Sequence, residues 1–309
     1  MKTLIIQPLL WASPLLIVLL VSELVYSRLK GHKSIYQWKD LLASSLMGVG
    51  AMIINPLVKL LVSGLLFFFV YEVCNPIVDG VRINILGYTS FGWAWYIWII
   101  CQVLDDLSHY WLHRFNHTVR FMWAAHVVHH SSEHYNYGTA LRLSWTAMIY
   151  KPLFYVWLPV IGFHPEMVLV CLGIESVWQF LLHTSYCPKL KFLESFLITP
   201  KQHEVHHATN VEYLDKNHGA ILNFWDRIFG TWKDYDDKID IAYGVIHSPN
   251  SYNPFVIATH EYASIWKDIK RAKNLKEAFM YTFGPPGWRP NGQSLTVRQL
   301  QRQFKQVIN

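Results

Sequence analysis

Charge is scarce in this chain. Only 16% of its 309 residues are Asp, Glu, Lys or Arg, and 52% are hydrophobic; a soluble domain carries about 25% charge. Cysteine is almost as scarce. The four present, Cys74, Cys101, Cys171 and Cys187, show no CxxC spacing, which argues against zinc-finger and iron–sulfur sites. Cys101 and Cys171 sit in apolar runs and read as buried free thiols, not as a disulfide framework. The net charge is +6, yet no basic run is interleaved with exposed aromatics. Nucleic acid is therefore not expected as a partner, and the surplus suits an anionic lipid surface. Internal repeats and low-complexity tracts are also missing. What is plentiful is apolar and aromatic. A mean hydropathy of +0.17, with 14 Trp, 17 Tyr and 17 Phe, is the composition of a membrane protein with many interfacial rings.

The apolar stretches come in order. Residues 3–22 carry no charge and are long enough to cross a hydrocarbon core of about 30 Å. No small-x-small cleavage site follows, so a retained helix is expected, not a signal peptide. Arg28, Lys30, Lys33 and Lys39 follow closely and put 28–40 in the cytoplasm. A second stretch, 42–71, is interrupted by Pro56 and Lys59, so it is one kinked helix or a broken one. A third is expected at 89–106, running on past Asp105 and Asp106 as a helix. Residues 143–183 break at GFHPE (162–166) and read as a hairpin of two spanning helices. Glu175 lies in its second arm, where an ionisable group faces a partner or a site. Residues 187–309 are more polar and read as a cap, with FWDRIFGTW (224–232) at the interface. The fold class expected is an all-α integral membrane protein of roughly four to five transmembrane helices. Its cytoplasmic, histidine-rich cap gathers both histidine clusters on one side.

Those clusters carry the chemistry. DLSHYWLHRFNHTVRFMWAAHVVHH (106–130) holds His109, His113, His117, His126, His129 and His130; KQHEVHH (201–207) holds His203, His206 and His207. Partners three or four apart share a helix face. On spacing alone His109, His113 and His117 form one ladder, and either adjacent pair could be the HxxxH. One such pair, the two triplets and His183 make nine histidines at motif positions. One ion takes about four to six donors, so nine imply two metals. Imidazole suits iron, zinc and copper alike. His203-Glu204-x-x-His207 also matches a zinc-hydrolase motif, with Glu204 as general base; the first cluster would then have no work. A metal-binding or transport protein would need ionisable residues along several spans, and only Glu175 and Lys59 offer themselves. His32, His164, His247 and His260 are isolated and read as ordinary histidines.

The pattern Asp106…His113-Arg114-x-x-His117, His126-x-x-His129-His130-Ser131-Ser132 and His203-x-x-His206-His207 resembles the fatty acid hydroxylase/sterol desaturase superfamily of membrane di-iron enzymes. HHSSEHYNYGTALR (129–142), DKNHGAILNFWDRIFGTW (215–232) and FGPPGWRP (283–290) most resemble its alkylglycerol monooxygenase-like branch. The resemblance covers about 100–290. It selects His113 and His117 as the HxxxH pair and implies a catalytic di-iron centre held by His113, His117, His126, His129, His130, His183, His203, His206 and His207. Purification can exchange that iron for zinc. It implies hydroxylation of a lipid C–H bond (ether lipid, fatty acyl or sterol-like) with O2, at the bilayer. Desaturation is the alternative within the superfamily. Electrons would come from tetrahydrobiopterin or an external redox protein. It divides the chain into N-terminal spans (1–90), a hydroxylase-like catalytic domain (91–235) and a cytoplasmic tail (236–309). Asp106 is expected behind a ligand imidazole or as a plain helix-end charge. Glu133, Asn136 and Arg142 are expected at the substrate headgroup or cosubstrate, or in a solvated loop. Asp226 and Arg227 are expected to form a structural ion pair. Two positions depart from the family: His109 stands where it generally has tyrosine, and His218 where the branch generally has an aromatic. Each is expected as an added ligand or as a hydrogen-bonding partner behind the ligands.

Overall fold

The computed structural model describes residues 8–32, 34–58, 64–290, 292 and 294–308, and these are mostly helical. The chain runs through α1 (Pro8–Leu29), α2 (Trp38–Val58) and α3 (Leu65–Cys74), then a small hairpin of β1 (Ile77–Val78) and β2 (Val81–Arg82). α4 (Trp95–Thr118) and α5 (Arg120–His130) follow, then α6 (Trp157–Val160), α7 (Pro165–Leu182), α8 (Pro200–His206) and α9 (Phe224–Ile228). The chain closes with α10 (Pro254–Ile269), α11 (Leu275–Phe283) and α12 (Val297–Ile308).

α4 is the organising element, packed along α5 and α7. A single extended residue, Val119 (φ −114, ψ 115), caps α4 at its C-terminus and α5 at its N-terminus. One residue out of helical geometry is enough to fold α5 back on α4. The largest apolar core joins α3, α4, α6 and α7 through Phe67, Cys101, Leu112, Leu158, Met167 and Cys171. Cys101 and Cys171 are indeed buried and free.

By length and composition, two helices among the described residues could cross a membrane, Pro8–Leu29 and Pro165–Leu182. Only 11% of the α1 window is buried, against 39% for α7. α1 therefore presents its apolar side chains outward, while α7 is an inner helix. Lys33, Lys59 and residues 3–7 lie outside the described residues, and with them the question of whether 42–71 crosses once. The third apolar stretch does run on as a helix through Asp105 and Asp106 into the histidines, but it starts at Trp95.

The hairpin expected over 143–183 is corrected. Its second arm is α7, started by Pro165 at the first turn and by His164, whose Nδ1 accepts the Glu166 amide at 3.3 Å. Its first arm is not a spanning helix. It breaks into 3₁₀ turns at Ala147–Ile149 and Lys151–Phe154 and the single turn of α6. Pro152 and Pro159 each remove a backbone donor there, and Gly162 turns the chain at φ +115.

Two buried carboxylates tie the N-terminal helices to the loop after α5. Glu23 of α1 accepts from the Tyr36 hydroxyl (2.5 Å), the Tyr137 amide (2.9 Å) and the Thr184 hydroxyl. Asp40 of α2 accepts from Arg142 Nη1 at 2.6 Å and from the Ser132 hydroxyl at 2.8 Å. Both side chains of the Arg142–Asp40 pair are nearly dry, at 2% and 9% exposure. Removing one partner of such a pair strands the other charge. Arg142→Met is expected to cost about 3–5 kcal/mol, read as loss of thermal stability in detergent.

Candidate metal centre

The histidine motifs lie at helix ends. α5 finishes on His126, His129 and His130. α8 carries His203 and His206 and is capped by His207. α8 starts where it does because Thr199 and Gln202 form a reciprocal capping box around Pro200. α4 supplies His113 and His117, and His183 caps the end of α7.

The nine imidazoles form two groups. His113, His117, His126, His130 and His206 offer one ligand atom each, all within 4.8 Å of one another; His129, His183, His203 and His207 form a second such group. Each HxxHH motif is thus divided. Its i and i+4 members face one group and its i+3 member the other, because adjacent helix residues point about 100° apart. The two motifs are divided in opposite senses. His126 and His130 join the five-histidine group while His129 leaves it, and His203 and His207 join the four-histidine group while His206 leaves it.

The donor chemistry fits metal binding. His113 Nδ1 donates to the His218 carbonyl (2.9 Å), His206 Nδ1 to the Lys216 carbonyl (2.8 Å) and His183 Nδ1 to the Gln179 carbonyl (2.7 Å). With the proton on Nδ1, each of these rings turns a bare Nε2 lone pair inward. Those nitrogens then face others at close range. His113 Nε2 lies 3.0 Å from His126 Nε2, His126 3.1 Å from His130, and His130 3.1 Å from His206. In the second group His129, His183 and His203 follow at 3.0 and 3.2 Å. Each Nε2 carries at most one proton, so this run cannot be satisfied as a chain of hydrogen bonds. Two nitrogens bound at right angles to one ion at about 2.1 Å stand about 3.0 Å apart. His117 Nε2 and His207 Nε2, one in each group, are buried without any hydrogen-bond partner, which suits ligand atoms.

Burial also sets the protonation. It pushes His126, His129, His130, His203 and His207 well below the ordinary imidazole range, and neighbouring imidazoles add to the effect. It brings His183 and His206 down to about 4. The donors are neutral at pH 7 and have no proton to lose before binding.

Residues 98–231, which hold all nine histidines, match the fatty acid hydroxylase family. That stretch of the chain is thus similar to a fatty acid hydroxylase domain. Alkylglycerol monooxygenase of Homo sapiens is 34% identical over 291 residues, covering 93% of this chain and 61% of the human protein. The Danio rerio protein of the same name is 34% identical over 198 residues, covering 64% of this chain and 43% of its own length. A Delta(7)-sterol 5(6)-desaturase of Gibberella zeae is 27% identical over 173 residues, covering 52% and 50%. The chain thus spans only about two-fifths to three-fifths of the length of these curated relatives. No solved structure matches it. The family resemblance read from the histidine motifs is therefore borne out.

Around the two histidine groups, the other expected residues take different places. Asp106 touches no imidazole and does not sit at a helix end. It accepts the Ile221 amide (2.7 Å) and the Leu222 amide (3.3 Å), so it anchors the segment beyond His218. His109 Nδ1 pairs with Glu175 Oε1 at 2.7 Å, and its ring centre lies 5.2 Å from that of His113. Glu175 does face a partner, with Lys151 also 3.6 Å away. Glu133 is exposed. Asn136 is committed to the Ile35 carbonyl (2.6 Å) and the Thr139 amide (3.2 Å), and Arg142 to Asp40; both brace the loop from inside. Asp226 and Arg227 do not pair. Asp226 accepts the His218 and Gly219 amides and the Thr231 hydroxyl, while Arg227 reaches Asn223 and the Glu194 carbonyl.

Three contributors were not anticipated. Tyr135 is fully buried and packs its ring against His183 and His207 at 5.7 and 5.2 Å. Asp215 stands 3.5 Å from His117 Nδ1, its carboxyl raised by burial to about 7. The carbonyls of Gln179, Lys216 and His218 orient three rings. The turn-forming run Asp215-Lys216-Asn217 was a signal for a tight loop; a backbone carbonyl leaves none.

Proposed function

We propose that the chain is a membrane oxidoreductase that hydroxylates a C–H bond of a lipid, with two metal ions, O2 and an external reductant. The observation that carries this is the division of nine imidazoles, seven of them buried, into two adjoining groups. The domain match and the alkylglycerol monooxygenase relatives support a lipid hydroxylase, and an ether lipid is the substrate class we favour. Two iron ions, when bound, supply the oxidising chemistry that breaks an unactivated C–H bond with O2. One oxygen atom enters the substrate. The other leaves as water, with two electrons from a pterin or a redox protein and two protons from the pterin or from solvent.

The chain's own residues do the rest. His113, His117, His126, His130 and His206 would hold one ion, and His129, His183, His203 and His207 the other. Their backbone carbonyl partners fix each ring's tautomer and direction. Most of the nine are buried, which keeps bulk water from the oxidising site. The outward apolar face of α1 meets lipid. We read the chain as multi-pass, with this centre on the cytoplasmic side, where a soluble reductant reaches it.

The zinc-hydrolase reading is disfavoured by Glu204. Its carboxylate is committed to Lys201 Nζ (2.6 Å) and the Tyr243 hydroxyl (2.5 Å), so it is not free to serve as a base. Lipids from cells with and without the protein, compared by mass, test the proposal. Loss of ether lipid, or a product heavier by one oxygen, is expected, and Glu204→Gln keeps most of it. A product lighter by two hydrogens would mean desaturation. An unchanged lipid profile with metal-loaded protein, or hydrolysis that vanishes with Glu204→Gln, would sink the reading.

A further inference from the structure

Residues 215–219 form a strap laid across the five-histidine group. Asp215 and Asn217 both hold left-handed backbone at φ +55, which residues with a Cβ seldom adopt. The surroundings enforce it. Asn217 donates from Nδ2 to the carbonyls of Gln202 (2.9 Å) and Lys233 (2.8 Å), accepts the Lys233 amide (2.9 Å), and gives its own amide to the Thr231 carbonyl. The amides of His218 and Gly219 each reach the Asp226 carboxylate at 2.8 Å. A Cβ on Gly219 would stand 2.5 Å from the Leu222 carbonyl oxygen, so only glycine passes there.

This clamped strap orients two rings of the group through its carbonyls, His206 at Lys216 and His113 at His218. It also carries an imidazole of its own. His218 is 0% exposed. Its ring centre lies 5.0 Å from that of His117, 5.5 Å from His113 and 5.6 Å from His206. Neither of its nitrogens has a hydrogen-bond partner. Buried polar atoms normally find one, and a neutral imidazole has one nitrogen with a lone pair to give to a cation. This imidazole is held rigidly beside three of the five rings, His113, His117 and His206, at the edge of the cluster whose ligand atoms converge within 4.8 Å.

We propose that His218 is a sixth imidazole donor of the five-histidine metal site, occupying the position that a small exogenous ligand would otherwise take. The inference rests on the metal reading given above. Six donors reach the upper end of the usual range of about four to six, so this site is closed at rest. The four-histidine site keeps open positions and is where small anions or gases bind first.

Purified, metal-loaded protein in detergent tests this, compared with His218→Ala and His218→Gln. The readouts are metal content, the imidazole count from X-ray absorption at the metal edge, and azide titration. The variants are expected to keep both ions, lose one imidazole from the total and bind azide at least about tenfold more tightly. Added free imidazole should reverse the azide effect in His218→Ala. Should His218→Ala fold poorly, His218→Gln, which fills the space but offers no ring nitrogen, gives the same readout. Retained metal with unchanged imidazole count and azide affinity overturns the sixth-donor assignment alone. A wild-type protein that takes up no metal overturns the metal reading beneath it.

Discussion

Replacing His129 with alanine is expected to cut metal content from about two ions per chain to about one and to lower lipid oxidation roughly 100-fold or more. His129 belongs to the four-histidine group, with its Nε2 3.0 Å from that of His183 and its ring centre 4.6 Å from that of His207. Its loss leaves three donors there. The five-histidine group does not use it, so one ion stays. His126→Ala gives the mirror result, because that ring joins the five-histidine group through His113 and His130. Metal analysis beside a lipid assay checks both. If either variant kept both ions, or if both emptied the same site, the division of the motifs between two groups would be wrong.

Stripping the metal is expected to cost about 4 kcal/mol of stability when the loaded state is measured with free metal near 1,000 times its dissociation constant, as roughly RT ln(1 + [L]/Kd). The stripped protein is also acid-sensitive. Its His183 and His206 titrate at about 4 when folded but near about 6.5 when unfolded. As pH falls below about 6.5 the unfolded chain takes up protons first, so the folded state loses stability progressively. The loss levels off below about 4, and above about 6.5 these groups contribute no pH dependence. Unfolding temperatures of chelated and loaded protein in detergent, at about pH 7.5 and about pH 5.5, check both effects. A chelated protein that melts like the loaded one would contradict the metal reading.

The histidines were legible because helical spacing is a strong constraint. Motif members three and four apart must share a helix side, and the structure brings all nine together. Their division was not legible. A motif shows which rings share a face, but not which rings of α4, α7 or α8 stand opposite. His129 and His130 are neighbours in the chain and part company only because those opposing helices are there to receive them.

Hydropathy misled at 143–160, where an apolar run became 3₁₀ turns; Pro152 and Pro159 were the signal, outweighed by composition. Asp106 lies two turns before His113 on the same helix, which suggested a role behind a ligand. Its partners are the Ile221 and Leu222 amides, more than a hundred residues away, and nothing local announces them. Asn136 and Arg142 look like loop residues by sequence. They are buried because Ile35 and Asp40 come from the α1–α2 side to meet them.

The central claim is that this buried pair of histidine groups puts an oxygen atom from O2 into a lipid. Membranes containing the protein, given an alkylglycerol and reductant under heavy-isotope dioxygen, test it most directly through the mass of the lipid product. The expected product carries one heavy oxygen atom and is absent with His129→Ala. A product whose oxygen comes from solvent water, or one that persists without O2, would contradict the account.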